Sequence, residues 1–182
     1  MKPHLEHIEP QADRVFRGRP VSDGIARAQA VVTRQPFMFS HGLDPASGIV
    51  IDRSHELYGR LVRGSVLVFP RGVGSTSAGM WLLEAVLQGN APAALVMEEI
   101  DPVLAMGALF ARLFFQRSLP VVDKIRPAAL LAIRTGDWVE VDGGAGMVRL
   151  LRGGREGAAR PPRGRLPEGG ASGGEGGGCR RC

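Results

Sequence analysis

Three short, unbroken apolar runs constrain this chain more than any other feature: residues 65–69 (S-V-L-V-F), 93–97 (A-A-L-V-M) and 119–122 (L-P-V-V). A strand without polar alternation is covered on both faces, as in a parallel sheet flanked by other layers. The segments between the runs read as helices. Ala78, Trp81, Leu82, Ala85 and Val86 recur at helical spacing over residues 78–88, and Gly89-Asn90 ends the pattern. Asp101-Pro102 supplies an N-cap and a first helical position for a second helix through about Arg112. Strand–helix–strand–helix–strand in this order predicts a parallel core.

Both ends of the chain add antiparallel strands to that core. Residues 26–33 (A-R-A-Q-A-V-V-T) alternate and end in β-branched residues, and residues 138–142 and 147–151 flank Gly143-Gly144 as a hairpin. The fold class is therefore α/β, a single domain with a parallel central sheet plus antiparallel strands. Pro70 is expected to stop the first apolar strand. Residues 34–63, punctuated by Pro36, Gly42, Pro45, Gly48 and Gly59, read as a long irregular loop, and loops of that length are commonly functional. The expected organisation is a polar leader over residues 1–17, a folded domain over 18–151 and a disordered Gly/Arg-rich tail over 152–182.

The charge balance argues against a nucleic-acid protein. Of the net +5, the tail from Arg152 to Cys182 contributes +4 through seven Arg and three Glu, leaving +1 for the rest. The basic character thus belongs to a segment with eleven of the 26 glycines and too little apolar surface to offset its ordering entropy. A weak polyanion contact by that tail is the minor alternative. Cys179 and Cys182 lie in the same tail, with no second ligand pair to complete a zinc site. Residues 1–178 hold no thiol, so the body cannot ligate an iron–sulfur cluster by itself. His4, His7, His41 and His55 show no metal-ligand spacing. The longest apolar stretch, residues 103–115, is too short for a membrane span and contains Arg112. With no apolar signal segment near the N-terminus, a cytoplasmic protein is expected.

Residues 72–77 (G-V-G-S-T-S) follow a buried strand and precede a helix, where unsatisfied amides and the helix dipole favour an anion. The segment lacks the lysine of a phosphate-binding G-K-[ST] loop, and Ser77 occupies the last glycine position of G-x-G-x-x-G. Read from spacing alone, it is either a carboxylate or phosphate site with three hydroxyls or a tight turn whose Ser or Thr caps the helix.

Six collinear phrases carry a resemblance. They are G-L-D-P-A-S-G-I-V-I-D (42–52), H-E-L-Y-G (55–59), S-V-L-V-F-P-R-G-V-G-S-T-S (65–77), A-P-A-A-L-V-M-E-E (91–99), D-P-V-L-A-M-G-A (101–108) and L-P-V-V-D (119–123). Together they resemble the family of aconitase X swivel domains and phosphomevalonate dehydratase small subunits, from roughly Gly18 to Leu151. The resemblance implies a swivelling β/β/α domain and the small subunit of a heterodimeric hydro-lyase that removes water from a 3-hydroxy acid. It implies Ser75 as the proton acceptor, with Gly74, Thr76 and Ser77 as candidates to hold the substrate. It also implies iron or an iron–sulfur centre on a large-subunit partner, because this body has no thiols. Phosphomevalonate is the substrate that the phrases favour. Dehydration of cis-3-hydroxy-L-proline is the related alternative, and a non-catalytic scaffold of the same fold is the second.

The chain also departs from the family. Where the family commonly has F-W-G-G-[VL]-D, this chain has Phe39-Ser40-His41-Gly42-Leu43-Asp44, and it lengthens the segment between Ala108 and Leu119. Other residues have simpler expectations. Glu98 and Glu99 are an acid–base pair or a capping pair; Asp44 and Asp52 are turn formers; His55 is a solvated loop residue. Trp81, Phe110, Phe114 and Phe115 are expected in the core, exposed aromatics being suited instead to a subunit contact.

Overall fold

The computed structural model describes residues 14–151. Its first elements are β1 (Arg14–Arg17), β2 (Arg19–Ser22), β3 (Ile25–Val32), β4 (Phe37–Met38), β5 (Leu43–Asp44) and β6 (Ile49–Val50). The middle of the chain forms β7 (Val66–Val73), α1 (Ala78–Leu87), β8 (Ala94–Glu99), α2 (Pro102–Phe115) and β9 (Val121–Asp123). The chain ends in α3 (Pro127–Ala132), β10 (Trp138–Asp142) and β11 (Met147–Leu151). The leader before residue 14 and the tail after residue 151, with Cys179 and Cys182, lie outside the described residues.

Strands β3, β7, β8 and β9 run parallel in that order, the parallel core expected from the apolar runs. Antiparallel strands extend it on both sides: β10, β11 and β1 beyond β3, and β2 beyond β9. Strands β1 and β2 stand at opposite ends of this order, yet only Gly18 separates them in sequence. The sheet must therefore curl until its edges meet. At the seam Gly18 N–H donates to the Gly146 carbonyl at 2.9 Å. A Cβ on Gly18 would fall 2.3 Å from the Asp123 carbonyl, so only glycine fits there.

The period-two alternation of the parallel strands separates two cores. Ala30, Val66, Val68, Ala94, Val96 and Val122 face the inside of the curled sheet, joined by Val139, Val141, Val148 and Leu150 and by Leu130 of α3. Val31, Leu67, Phe69, Leu95, Met97 and Val121 face the other way, onto Leu82 and Ala85 of α1 and Leu104 and Ala108 of α2. The two helices touch backbone to backbone where they cross. A Cβ on Gly79 would meet the Val103 carbonyl at 2.2 Å, and one on Gly107 would meet the Gly79 carbonyl at 2.3 Å.

Several expectations need correction. The chain joins the sheet at Arg14, ahead of the expected boundary at residue 18, because β1 pairs with β11. Pro70 does not end its strand, since β7 runs to Val73. Val68 accepts a hydrogen bond from Thr33 N–H, so by alternation the nitrogen of Pro70 also faces β3, at a level where β3 has ended and no donor is needed. Residues 34–63 contain β4, which pairs with β7, and the β5–β6 hairpin. Helix α2 continues past Arg112 to Phe115, and α3 is an additional helix opened by Pro127. Phe114 is 70% exposed and Phe115 49%, outside the core, at the end of α2 remote from its N-cap. Among the described residues no helix is long and apolar enough to cross a membrane.

Candidate active site

Strand β7 delivers the chain to the turn that holds Gly74, Ser75, Thr76 and Ser77, and α1 begins at Ala78. Gly74 sits at φ 122°, a region L-residues rarely adopt, and a Cβ there would lie 2.9 Å from Ser40 Oγ and 3.1 Å from Met38 Cγ. Its role is close approach: it lets the serine turn press against the loop after β4. Ser75 N–H then donates to Ser40 Oγ at 3.3 Å. The Ser75 carbonyl accepts the Ala78 N–H at 3.0 Å, and the Ser77 carbonyl accepts from Met80 and Trp81 at 2.9 and 3.1 Å.

Ser77 is the residue at the N-cap position, but its side chain makes no capping bond. Instead Ser75 Oγ accepts the Ser77 N–H at 3.3 Å and lies 3.2 Å from Ser77 Oγ. The Ser75 oxygen thus has two donors directed at it from one residue at the start of a helix. Such donors favour the anionic form of an oxygen over the neutral one. Thr76 is exposed, with no side-chain hydrogen bond among the described residues. The structure therefore brings all four expected residues into one turn and distinguishes their parts: Gly74 by shape, Ser77 by donation, Thr76 by an unspent hydroxyl.

Ser40 is the member that sequence reasoning missed. It is 1% exposed and reaches Ser75 across 35 residues of chain. Aromatic packing fixes its loop: Phe37 and Phe39 rest on Phe69 of β7, with ring centroids 5.8 and 5.9 Å away. Gly42 closes the loop so tightly that a Cβ would meet the Met38 carbonyl at 2.2 Å. His41, between Ser40 and Gly42, packs against Trp81 at 5.2 Å between centroids. Trp81 is half-buried rather than core, because its ring belongs to this wall. Nothing in the spacing of the sequence announces a pairing of residues 40 and 75.

The other candidates are accounted for by structure. Glu99 pairs with Lys124 at 3.5 Å, and the Glu98 backbone carbonyl accepts the Lys124 N–H, so both residues tie β8 to the turn after β9. Asp44 and Asp52 form the expected turns, accepting from Ala46 and Ser54 N–H at 3.1 and 2.9 Å. The bonds from Ser54 hold the Asp52 carboxyl below its ordinary range. His55 is buried, not solvated: its Nδ1 accepts the Leu57 N–H at 3.1 Å and its ring meets Phe37 edge-on. Burial pushes its pKa down. Among the described residues no group of three or more His, Cys, Asp or Glu converges as metal ligands would.

Fold and site together define a class: a β/β/α swivelling domain whose parallel sheet ends in a glycine–serine turn at a helix start. Such a turn can hold an anion and support an oxyanion. The family model for the aconitase X swivel domain matches residues 15–150, and the chain belongs to that family. It is 33% identical over 137 residues to the phosphomevalonate dehydratase small subunit of Methanosarcina acetivorans, covering 75% of this chain and 91% of that one. The phosphomevalonate dehydratase small subunit of Methanocella arvoryzae is 36% identical over 135 residues, covering 74% and 98%. The crystal structure of holo-form aconitase X from Thermococcus kodakaraensis superposes with a TM-score of 0.70 at 32% identity, covering 76% of this chain and 99% of that chain.

Proposed function

We propose that this chain is the small subunit of a phosphomevalonate dehydratase, which eliminates water from 5-phosphomevalonate to give anhydromevalonate phosphate, with Ser75 as the proton acceptor. The observation that carries the reading is the pair of donors from Ser77 directed at Ser75 Oγ at a helix start. The names of the relatives supply the substrate class.

In this reading the proton alpha to the substrate carboxylate passes to Ser75 Oγ as the carbon–oxygen bond breaks and hydroxide departs, leaving the new carbon–carbon double bond. A serine hydroxyl is a poor base at any working pH, so the Ser77 donors and the helix start must stabilise its anionic form. Thr76, whose hydroxyl has no other partner among the described residues, and Gly74 hold the substrate carboxylate; Ser77, a candidate for the same part, has both donors directed at Ser75. Departure of hydroxide calls for a Lewis acid, which the reading places as an iron or iron–sulfur centre on the large-subunit partner. A charged phosphorylated substrate that does not cross membranes fits a cytoplasmic location.

The test is co-expression with the large subunit and assay of both phosphomevalonate and cis-3-hydroxy-L-proline. The wild-type complex should dehydrate phosphomevalonate. Ser75→Ala should assemble normally and lose roughly a thousandfold in turnover. Full activity of Ser75→Ala would leave the chain a scaffold, and turnover of the proline substrate alone would replace the substrate assignment.

A further inference from the structure

The last turn of α2 stands clear of the body. Every residue from Arg112 to Ser118 is exposed, and Leu113 and Phe114 are exposed by 69% and 70%. A helical turn with large apolar side chains on several sides is ordinarily buried, because packing rather than propensity holds it. Here the turn is held from its base. Gln116 adopts the left-handed C-cap, its N–H bonds the Arg112 carbonyl, and the Arg117 N–H bonds the Ala111 carbonyl. Phe110 meets Phe114 edge-on with centroids 5.5 Å apart. Arg112 pairs with Asp23, and Ser118 Oγ donates to the Asp23 carbonyl at 2.7 Å, which ties the turn to the β2–β3 connection. Leu113, Phe114 and Phe115 thus form a firmly supported apolar knob.

Beside the knob the same chain has a socket. Where α1 and α2 end, a cleft of about 390 Å³ is lined by Val86, Ala91, Pro92 and Leu119 and, on the side of the knob, by Gln116 and Arg117. A surface that carries a knob and a socket side by side is complementary to itself: a two-fold axis seats each knob in the other copy's socket. The rim carries both signs of charge, Arg117 on the cleft and exposed Glu84 near the end of α1, so two copies do not present like fields to each other. Helix α1 starts at the serine turn, and its 10 residues carry the chain about 15 Å back along the sheet. The large subunit has to complete the serine turn, at the opposite end of α1. We propose that the knob and cleft form a two-fold interface with a second copy of this chain, making the enzyme a pair of small–large heterodimers. The interface itself does not depend on the Ser75 reading; the choice of a second copy over the large subunit does.

Sedimentation velocity of the full chain, alone and co-expressed with the large subunit, tests this in reductant, which keeps Cys179 and Cys182 from linking chains. The chain alone should sediment as a dimer and the complex as two small and two large subunits. Phe114→Glu charges the knob at an exposed position, so the melting temperature should hold while pairing weakens by roughly thirtyfold or more, leaving one small and one large subunit. Gly89 lines the cleft, and a Cβ there meets nothing within 4 Å, so Gly89→Lys should crowd the socket and weaken pairing as well. Leu131→Glu, on α3 and 58% exposed, should leave pairing unchanged. A wild-type complex with one copy of each subunit, unchanged pairing in Phe114→Glu or Gly89→Lys, or release of the large subunit by Phe114→Glu would overturn the proposal. Failure of the dehydratase reading registers separately, as a chain that binds no large subunit yet forms a dimer that Phe114→Glu separates.

Discussion

Ser40 Oγ accepts the backbone N–H of Ser75 at 3.3 Å, so a loop next to β4 sets the position of a serine 35 residues away. The bond removes one donor from the turn and fixes the Cα of Ser75 relative to α1. Ser40→Ala leaves that partly buried amide facing a methyl group, which should cost up to about 1 kcal/mol of stability. On the proposed role of Ser75 as proton acceptor, the larger effect should be on turnover, because a misplaced reacting oxygen loses rate steeply. A fall of roughly tenfold in kcat is expected, with assembly intact. Unchanged kcat at reduced thermal stability would limit Ser40 to a structural part.

The serine turn is also held from behind, through the crossing of α1 and α2. Gly79 lies one residue into α1, and a Cβ there would come 2.2 Å from the Val103 carbonyl, a backbone atom that cannot swing away. Gly79→Ala must push the helices apart and should cost about 2–3 kcal/mol, read by urea denaturation. Gly89→Ala is the control, since a Cβ at that position meets nothing within 4 Å. Its cost should be limited to the backbone strain at φ 72°.

Local signals were legible in the sequence and non-local ones were not. The start of α2 is an example of the first kind: Asp101 Oδ1 caps the Val103 N–H at 2.6 Å, as Asp-Pro before an apolar run implies. The unbroken apolar runs likewise announced their burial between two cores. Pro70 misled because its cost depends on whether a neighbouring strand still needs a donor there, which is a tertiary fact. Closure of the sheet joins Arg14 to Leu150 and Arg19 to Asp123, pairings more than 100 residues apart around a one-residue link. Only the position of Gly18 hints at it, and one glycine among 26 carries no such message. That Gly74 to Ser77 share one turn before α1 was legible because they are contiguous and lie between an apolar run and a helical pattern. Ser40 was not, since its part depends on Phe37 and Phe39 packing on Phe69.

Acid should weaken the fold through His55. Burial lowers its pKa, so the folded ring stays neutral at a pH where the unfolded ring has already taken a proton. Above about pH 6.5 both states are neutral and pH has no effect through this group. As pH falls below that value the unfolded chain binds more protons than the folded one, and stability falls with it. Burial outweighs the Glu56 and Asp52 carboxylates and the Pro36 carbonyl, which favour the protonated ring. Thermal unfolding of the wild type should therefore drop more between pH 7.5 and pH 5 than that of His55→Gln (a pH interval chosen to bracket the ordinary imidazole value). Parallel losses in the two proteins would remove His55 as the cause.

The last expectation concerns the edge that closes the sheet. Asp123 is fully buried, and its carboxylate accepts from Arg19 Nε at 2.9 Å, from Arg19 Nη2 at 2.7 Å and from the Ile100 N–H at 3.2 Å. Arg19 belongs to β2 and is more than half exposed, so the two partners are unequal. Its guanidinium pKa is pushed up by the hydrogen bonds and charge of Asp123. Arg19→Met strands a buried carboxylate with a single donor, whereas Asp123→Asn leaves an arginine that water can solvate. Breaking a pair is most costly when the charge left behind is the buried one. Asp123→Asn should lose about 1–2 kcal/mol, and Arg19→Met should lose more, with faster amide exchange in β2. Arg19→Lys should restore the charge but not the two-pronged bond, and fall between them. Equal losses for Arg19→Met and Asp123→Asn would mean that apolar packing, not the buried carboxylate, holds β2 against β9.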